Sequence, residues 1–254
     1  MNHGALAKLA AWIRDWVDLE KSSLDRAIEH AAGSAGGKLL DVGCGDKPYE
    51  AVFAPHVDSH IGVEYGDTYR NSFSARLARA DVLYDGRILP FANATFQTVL
   101  STQVLEHVPD PWGLVREMVR VLAPGGRLIL TVPFSYRIHS APDDFHRFTG
   151  YALEVLAHGN GLEIECLAHR GGFWFVMGQK LNSHLAFRWA RLDRAAQEMG
   201  TFGYRELQPS RPRWWTLPFL VPVILVSSTL ARMLDRLDPD PSETLGYLLV
   251  ARKP

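Results

Sequence analysis

The residues best suited to chemistry fall into two groups. The first is Asp41-Val42-Gly43-Cys44-Gly45, an acid and two glycines that close the short apolar run Lys38–Val42. Glycine allows a sharp turn and a close backbone approach, so the pattern reads as a strand end that cradles a ligand. Glu64 closes the next apolar run, His60-Ile61-Gly62-Val63, nineteen residues after Gly45. An acid at that place can accept both hydroxyls of a ribose, which makes a nucleoside the expected ligand.

Which nucleoside turns on phosphate. A dinucleotide site carries a third glycine so that a helix N-terminus reaches two phosphates, and here that position is Pro48. S-adenosylmethionine has an ammonium and a sulfonium in place of phosphate, so a carboxylate beside the turn becomes useful, and Asp41 supplies one. Each residue also has a structural alternative. Asp41 can satisfy backbone N–H groups of the turn, Glu64 can be a solvated strand end, and Cys44 can be a small packed residue with no base beside it.

The second group follows the run Arg127–Val132. It comprises Pro133-Phe134-Ser135-Tyr136-Arg137-Ile138-His139 and then Pro142-Asp143-Asp144-Phe145-His146-Arg147-Phe148-Thr149. Methyl transfer is an in-line displacement, so the protein must align the nucleophile and, for a hydroxyl, take its proton. His139 and His146 are the candidate bases, with Asp144 or Asp143 as orienting partner. Their spacing fits no closed metal motif, and no metal is expected. The alternative is that Asp144 and Arg147 form an ion pair that pins the loop. His107, between Val104-Leu105 and Val108, reads as a packed helix histidine.

These residues must sit on a parallel α/β scaffold. Trp112, Val115, Val119 and Leu122 repeat at helical spacing after the candidate cap Asp110 and Pro111, predicting a helix over Asp110–Leu122. It stops at Pro124-Gly125-Gly126 and leads into a strand over Arg127–Val132. A further helix is expected from Pro48-Tyr49, another from Thr149 through His158, and strands over Thr98–Ser101, Leu162–Leu167 and Leu245–Val250. Open sheets of this kind bind ligands beyond the carboxyl ends of their strands.

The chain resembles the class I methyltransferases of the type 11 family from about Lys38 to Phe173. Leu39-Leu40-Asp41-Val42-Gly43-Cys44-Gly45 is similar to the family's first motif, and Glu64 to its ribose-binding acid. Ala80-Asp81-Val82 resembles its adenine-contacting stretch, Leu89-Pro90-Phe91 with Phe96 the loop before strand four, and Val104–Val108 the helix after it. Leu122-Ala123-Pro124-Gly125-Gly126 matches the turn before strand five, and the segment His139–Thr149 resembles an H…P-x-D…R-F-T stretch found in a subset. Lys47 stands where the first motif commonly has a small residue. The resemblance implies a Rossmann-like, doubly wound, seven-stranded, mostly parallel sheet. It implies S-adenosylmethionine as cofactor, held by Asp41, Gly43, Cys44, Gly45, Glu64, Asp81, Val82 and Ser101.

The expected organisation is a helical N-terminal segment over 1–37 and the cofactor domain over 38–172 with 244–254. A helical insertion over 173–243 precedes the last strand. A formal charge of −1 gives no field toward nucleic acid, and two distant cysteines fit a reducing cytoplasm. Met1–Leu24 reads as an amphipathic helix, without the apolar run of a signal peptide. Trp214–Ala231 is an uncharged 18-residue stretch, preceded over Lys180–Arg213 by an excess of basic residues that includes Arg191, Arg194, Arg205 and Arg211. Pro218 and Pro222 would break a straight helix, and two readings stay open: a buried helix covering the active site, or a segment lying in one leaflet at the inner face of a membrane. A span is not expected, because the strands on both sides of it join one sheet. The expected activity is methylation of a small-molecule acceptor, a saccharide or lipid-linked intermediate among them. A silent S-adenosylmethionine-binding partner and a nicotinamide oxidoreductase are the alternatives.

Overall fold

A computed structural model describes residues 13, 15–66, 79–140, 142–190 and 213–254. Along the chain come α1 (Leu19–Ala32), β1 (Lys38–Val42), α2 (Glu50–Phe53), β2 (Ser59–Tyr65), β3 (Val82–Tyr84), β4 (Phe96–Thr102), α3 (Pro111–Val121) and β5 (Leu122–Pro133). There follow α4 (Gly150–Gly159), β6 (Glu163–His169), α5 (Phe173–Ser183), a π-helix over His184–Trp189, α6 (Leu217–Leu237) and β7 (Gly246–Arg252). The chain divides into two compact units, a sheet unit of 27–134, 145–168 and 246–254, and a helical unit of 1–26, 135–144 and 169–245.

The sheet unit holds seven strands in the order β3-β2-β1-β4-β5-β7-β6. β1 pairs in parallel with β2 and β4, β4 with β5, and β2 with β3, while β7 runs antiparallel to β5. The winding reverses between β1 and β4, so those two strand ends flank the switch point where open α/β sheets take their ligands. Near-continuous apolar runs bury both faces: Leu40, Val42, Val99, Leu128 and Leu130 pack with Val115 and Met118 of α3 and with Leu249 of β7.

Local chemistry accounts for the helix starts. Asp110 accepts the Gly113 N–H at 2.9 Å with Pro111 at the first turn, and Thr149 accepts the Ala152 N–H at 3.2 Å. Three boundaries differ from expectation. Leu122 is extended and pairs with Phe96, so α3 ends at Val121 and β5 begins before Pro124-Gly125-Gly126. Sheet pairing outweighs helical spacing there. The helix expected from Pro48-Tyr49 is the single turn α2, and the one expected over Val104–Val108 is a 3₁₀ turn of Leu105–His107.

In the helical unit Leu19, Phe175, Val176, Ala231 and Leu245 form a separate core. The close approach of α5 and α6 needs Gly178, where a Cβ would stand 2.7 Å from that of Ala231. Gln179 accepts the Leu19 N–H at 2.9 Å, and Asn182 donates to Ser228 at 2.8 Å. Asp235 of α6 accepts the N–H groups of Gly172 and Phe175, supplying the α5 cap that Gly172 lacks. Arg170 and Glu20 make a buried ion pair at 2.8 Å.

Residues 135–144 group with this unit. The Ser135 N–H donates to Leu245 O, and the Arg137 guanidinium lies 4.1 Å over the Phe187 ring. A correction concerns Trp214–Ala231. The prolines do not interrupt it, since Pro218 falls in the first turn of α6 and the helix runs on through Pro222. Nor is it buried: of α6 only Leu220, Ser228 and Ala231 are, while Phe219, Val223, Val226, Leu230 and Met233 are exposed. Arg191, Arg194, Arg205 and Arg211 lie outside the described residues, as does most of the helix expected from Met1 up to residue 14.

Candidate functional site

The loop after β1 makes its turn with two left-handed glycines, Gly43 at φ +73° and Gly45 at φ +52°. Gly43 donates to Val63 O at 2.9 Å, and a Cβ there would run into Val104, so the loop lies tight between β2 and the start of the 3₁₀ turn. Over Gly45 a Cβ would meet nothing within 4 Å. The Gly45 N–H donates to Glu64 Oε2 at 3.0 Å, and the Tyr65 N–H to Oε1 at 3.0 Å. A carboxylate offers about four acceptor positions, so both oxygens retain capacity for ribose hydroxyls. Burial pushes the Glu64 carboxyl up, more than the two N–H groups draw it down.

The remaining predicted cofactor residues divide between rim and interior. Asp41 is buried and its Oδ2 lies 3.1 Å from His60 Nε2. Burial pushes this carboxyl up against the opposing pull of His60 and Lys47. Ser101 is buried and donates to Val42 O at 3.1 Å, tying β4 to β1 at the switch point. Cys44 is buried, its thiol pushed up to about 12, chiefly by burial, which makes it a packing residue. Val82 opens β3 beside Val63.

Asp81 is committed within the loop system. Its Oδ2 accepts the Gly62 N–H at 2.7 Å and the Lys47 ammonium, and the Lys47 chain is buried with its backbone at φ +53°. Burial would raise the Asp81 carboxyl, but Lys47 and the Gly62 N–H together hold it below the ordinary value. The Lys47 that replaces a small residue therefore acts as a strut from the first loop to β3. Neither His60 nor the Lys47 strut was foreseen from the sequence, because partnership across strands leaves no local spacing. Gln103 was also missed; it sits just past β4 at φ +55°, donating its N–H to Thr131 O at 3.0 Å.

The second predicted group is split between the units. In the helical unit Asp144 is buried, accepts the His139 N–H at 2.9 Å and lies 3.4 Å from His139 Nδ1. His139 Nδ1 is also 3.3 Å from Arg137 O, an atom that can only accept. Nδ1 therefore carries the proton, and Nε2 is the basic nitrogen. In the sheet unit the N–H groups of Phe145 and His146 converge on Glu106 O at 2.7 and 3.3 Å. The His146 ring packs against Trp112, Phe145 and Phe148, with Nε2 buried and without a hydrogen-bond partner among the described residues.

Residues 40–130 match the family of methyltransferase domains. An uncharacterized methyltransferase of Mycobacterium leprae (strain Br4923) is 40% identical over 120 residues, which are 46% of this chain and 43% of the relative. The 27-O-demethylrifamycin SV methyltransferase of Amycolatopsis mediterranei is 32% identical over 131 residues, 47% of this chain and 48% of that protein. The chain thus spans less than half the length of these curated relatives. A solved S-adenosylmethionine-dependent methyltransferase of Mesorhizobium loti covers 92% of this chain and 99% of its own, at a TM-score of 0.53 and 14% identity, a likeness of fold. Residues 40–130, which carry the glycine loop and Glu64 at the switch point of a sheet ordered β3-β2-β1-β4-β5-β7-β6, are thus similar to methyltransferase domains.

Proposed function

We propose that this protein transfers the methyl group of S-adenosylmethionine to a hydroxyl of a small-molecule acceptor, a saccharide or lipid-linked intermediate among them. The observation that carries the reading is the junction of Gly45 and Glu64 beside the open space over Gly45, where the third glycine of a pyrophosphate-binding loop is lacking. When bound, the cofactor supplies a methyl group already activated by the sulfonium. Glu64 holds the ribose hydroxyls, and the two loop glycines leave room for the backbone to approach the ligand.

His139 is the candidate base. Asp144 and Arg137 O hold its Nδ1 proton, which leaves Nε2 as the nitrogen that would accept a proton from a hydroxyl. A relative named for methylating an oxygen supports a hydroxyl acceptor. His146, enclosed by aromatic rings, is assigned to packing. Calorimetry with S-adenosylhomocysteine and NAD tests the cofactor. Tighter binding of NAD overturns the reading, and a protein that binds S-adenosylhomocysteine yet transfers no methyl to any hydroxyl compound in a metabolite screen is a silent partner.

We also propose that the protein works at the inner face of a membrane, peripherally. The exposed apolar side of α6 and the tryptophans Trp214 and Trp215 before it support one-leaflet insertion. β6 and β7 are neighbours in one sheet, so a single crossing between them is incompatible with the connectivity.

A further inference from the structure

The helical unit contains a cavity of about 300 Å³, lined by Arg137, Lys180, Ser183, His184, Phe187 and Arg188 with three neighbours. Lys180, His184 and Arg188 follow one another every four residues along α5 and the π-helix that continues it, which sets them on one helical side. Arg137 enters from the segment after β5, its guanidinium plane fixed 4.1 Å over the Phe187 ring.

Among the described residues no carboxylate lines this cavity, and Lys180, His184 and Arg188 have no acidic partner. Elsewhere in the same unit Arg170 is matched with Glu20, and Lys21 with Asp25. Lys180 and Arg188 set two positive charges on this side with the His184 ring between them, and a π-helical turn is commonly kept where it serves a site. Ser183 adds a neutral hydroxyl donor on the same side. Three cations, two of them planar guanidinium forks, match an oxyanion of more than one charge better than a single carboxylate.

We propose that this cavity binds a phosphate monoester or diphosphate group. The group's source, a free phosphorylated metabolite or a lipid headgroup, is separated by the choice of probe.

The test uses the full chain. Inorganic pyrophosphate is titrated by calorimetry into wild type, the double variant Lys180→Gln/Arg188→Gln, and the double variant Lys38→Gln/Arg87→Gln as a charge-matched surface control. Both cavity residues are exposed at its mouth, so the variant is expected to fold, and circular dichroism with each single variant checks this. Binding that weakens about tenfold or more in the double variant and not in the control supports the site. Phosphatidic acid vesicles that displace pyrophosphate identify a headgroup, and failure to displace it identifies a soluble ligand. Absent binding, or equal binding in the double variant, overturns the proposal. S-adenosylhomocysteine binding, measured alongside, reports separately on the methyltransferase reading.

Discussion

Glu64 and Gly45 are joined by a 3.0 Å hydrogen bond from the glycine N–H to the carboxylate, so the acid ending β2 also sets the loop ending β1. Removing it should damage both. Glu64→Gln is expected to weaken S-adenosylhomocysteine binding by about 1.5–3 kcal/mol, the value of hydrogen bonds to a charged group. Because burial raises this carboxyl, affinity in wild type should rise with pH above the ordinary value of 4.5, as the acceptor form is populated. Calorimetry across pH checks it; a Gln variant with the same affinity and pH dependence refutes it.

Lys47 and Asp81 make a prediction about acid stability. The Asp81 carboxyl is held below its ordinary value of 3.8, so its contribution is present above that value and is lost as pH falls through the lower folded one. Asp81→Asn should therefore flatten the loss of stability on the acid side. Lys47→Met should weaken the same dependence. Denaturant melts at stepped pH decide, and unchanged acid limbs in both variants count against the strut.

Gly43→Ala should cost about 1–3 kcal/mol, since the position combines a left-handed backbone with a Cβ driven into Val104. Adding Val104→Ala relieves the clash but not the backbone strain, so partial recovery of the melting temperature is expected. Full recovery would place the whole cost in the clash.

The two histidines should separate. His139→Gln is expected to lower turnover about 10²–10⁴-fold with cofactor affinity intact, as for loss of a general base. His146→Phe preserves the aromatic cluster and removes a buried nitrogen without a partner, so stability should hold or rise and turnover should persist. A collapse of activity in His146→Phe, with normal rates in His139→Gln, reverses the assignment.

For the membrane, changing Trp214, Trp215 and Phe219 together to Ser should release the protein from anionic vesicles in flotation assays. Added salt should weaken wild-type binding by screening the basic residues nearby. Equal flotation of variant and wild type would remove α6 as the anchor.

Much of the sheet unit was legible in the sequence because its signals are local. An apolar run ending in Asp41–Gly45, a cap at Asp110, a cap at Thr149 and the acid at Glu64 each announce themselves within a few residues. What escaped depended on partners distant in sequence. Leu122 has helical spacing but is drawn into the sheet by Phe96, and His60 finds Asp41 only across paired strands. The insertion was harder still. Apolar composition in Trp214–Ala231 suits a buried helix and an exposed one alike, and only the packing of α5 through Gly178 shows which narrow strip of α6 is covered.

The two ends of the insertion are clasped to each other. The Leu245 N–H donates to Arg170 O at 3.3 Å, and the Arg170 N–H to Thr244 Oγ1 at 3.1 Å. A segment whose entry and exit touch adds little strain to its host when it lengthens, shortens or changes sequence, since the closure entropy grows only slowly with loop length. Residues 170–245 can therefore change in length between their clasped ends at little cost, so long as the contacts of Arg170 with Glu20 and of Gln179 with Leu19 are kept.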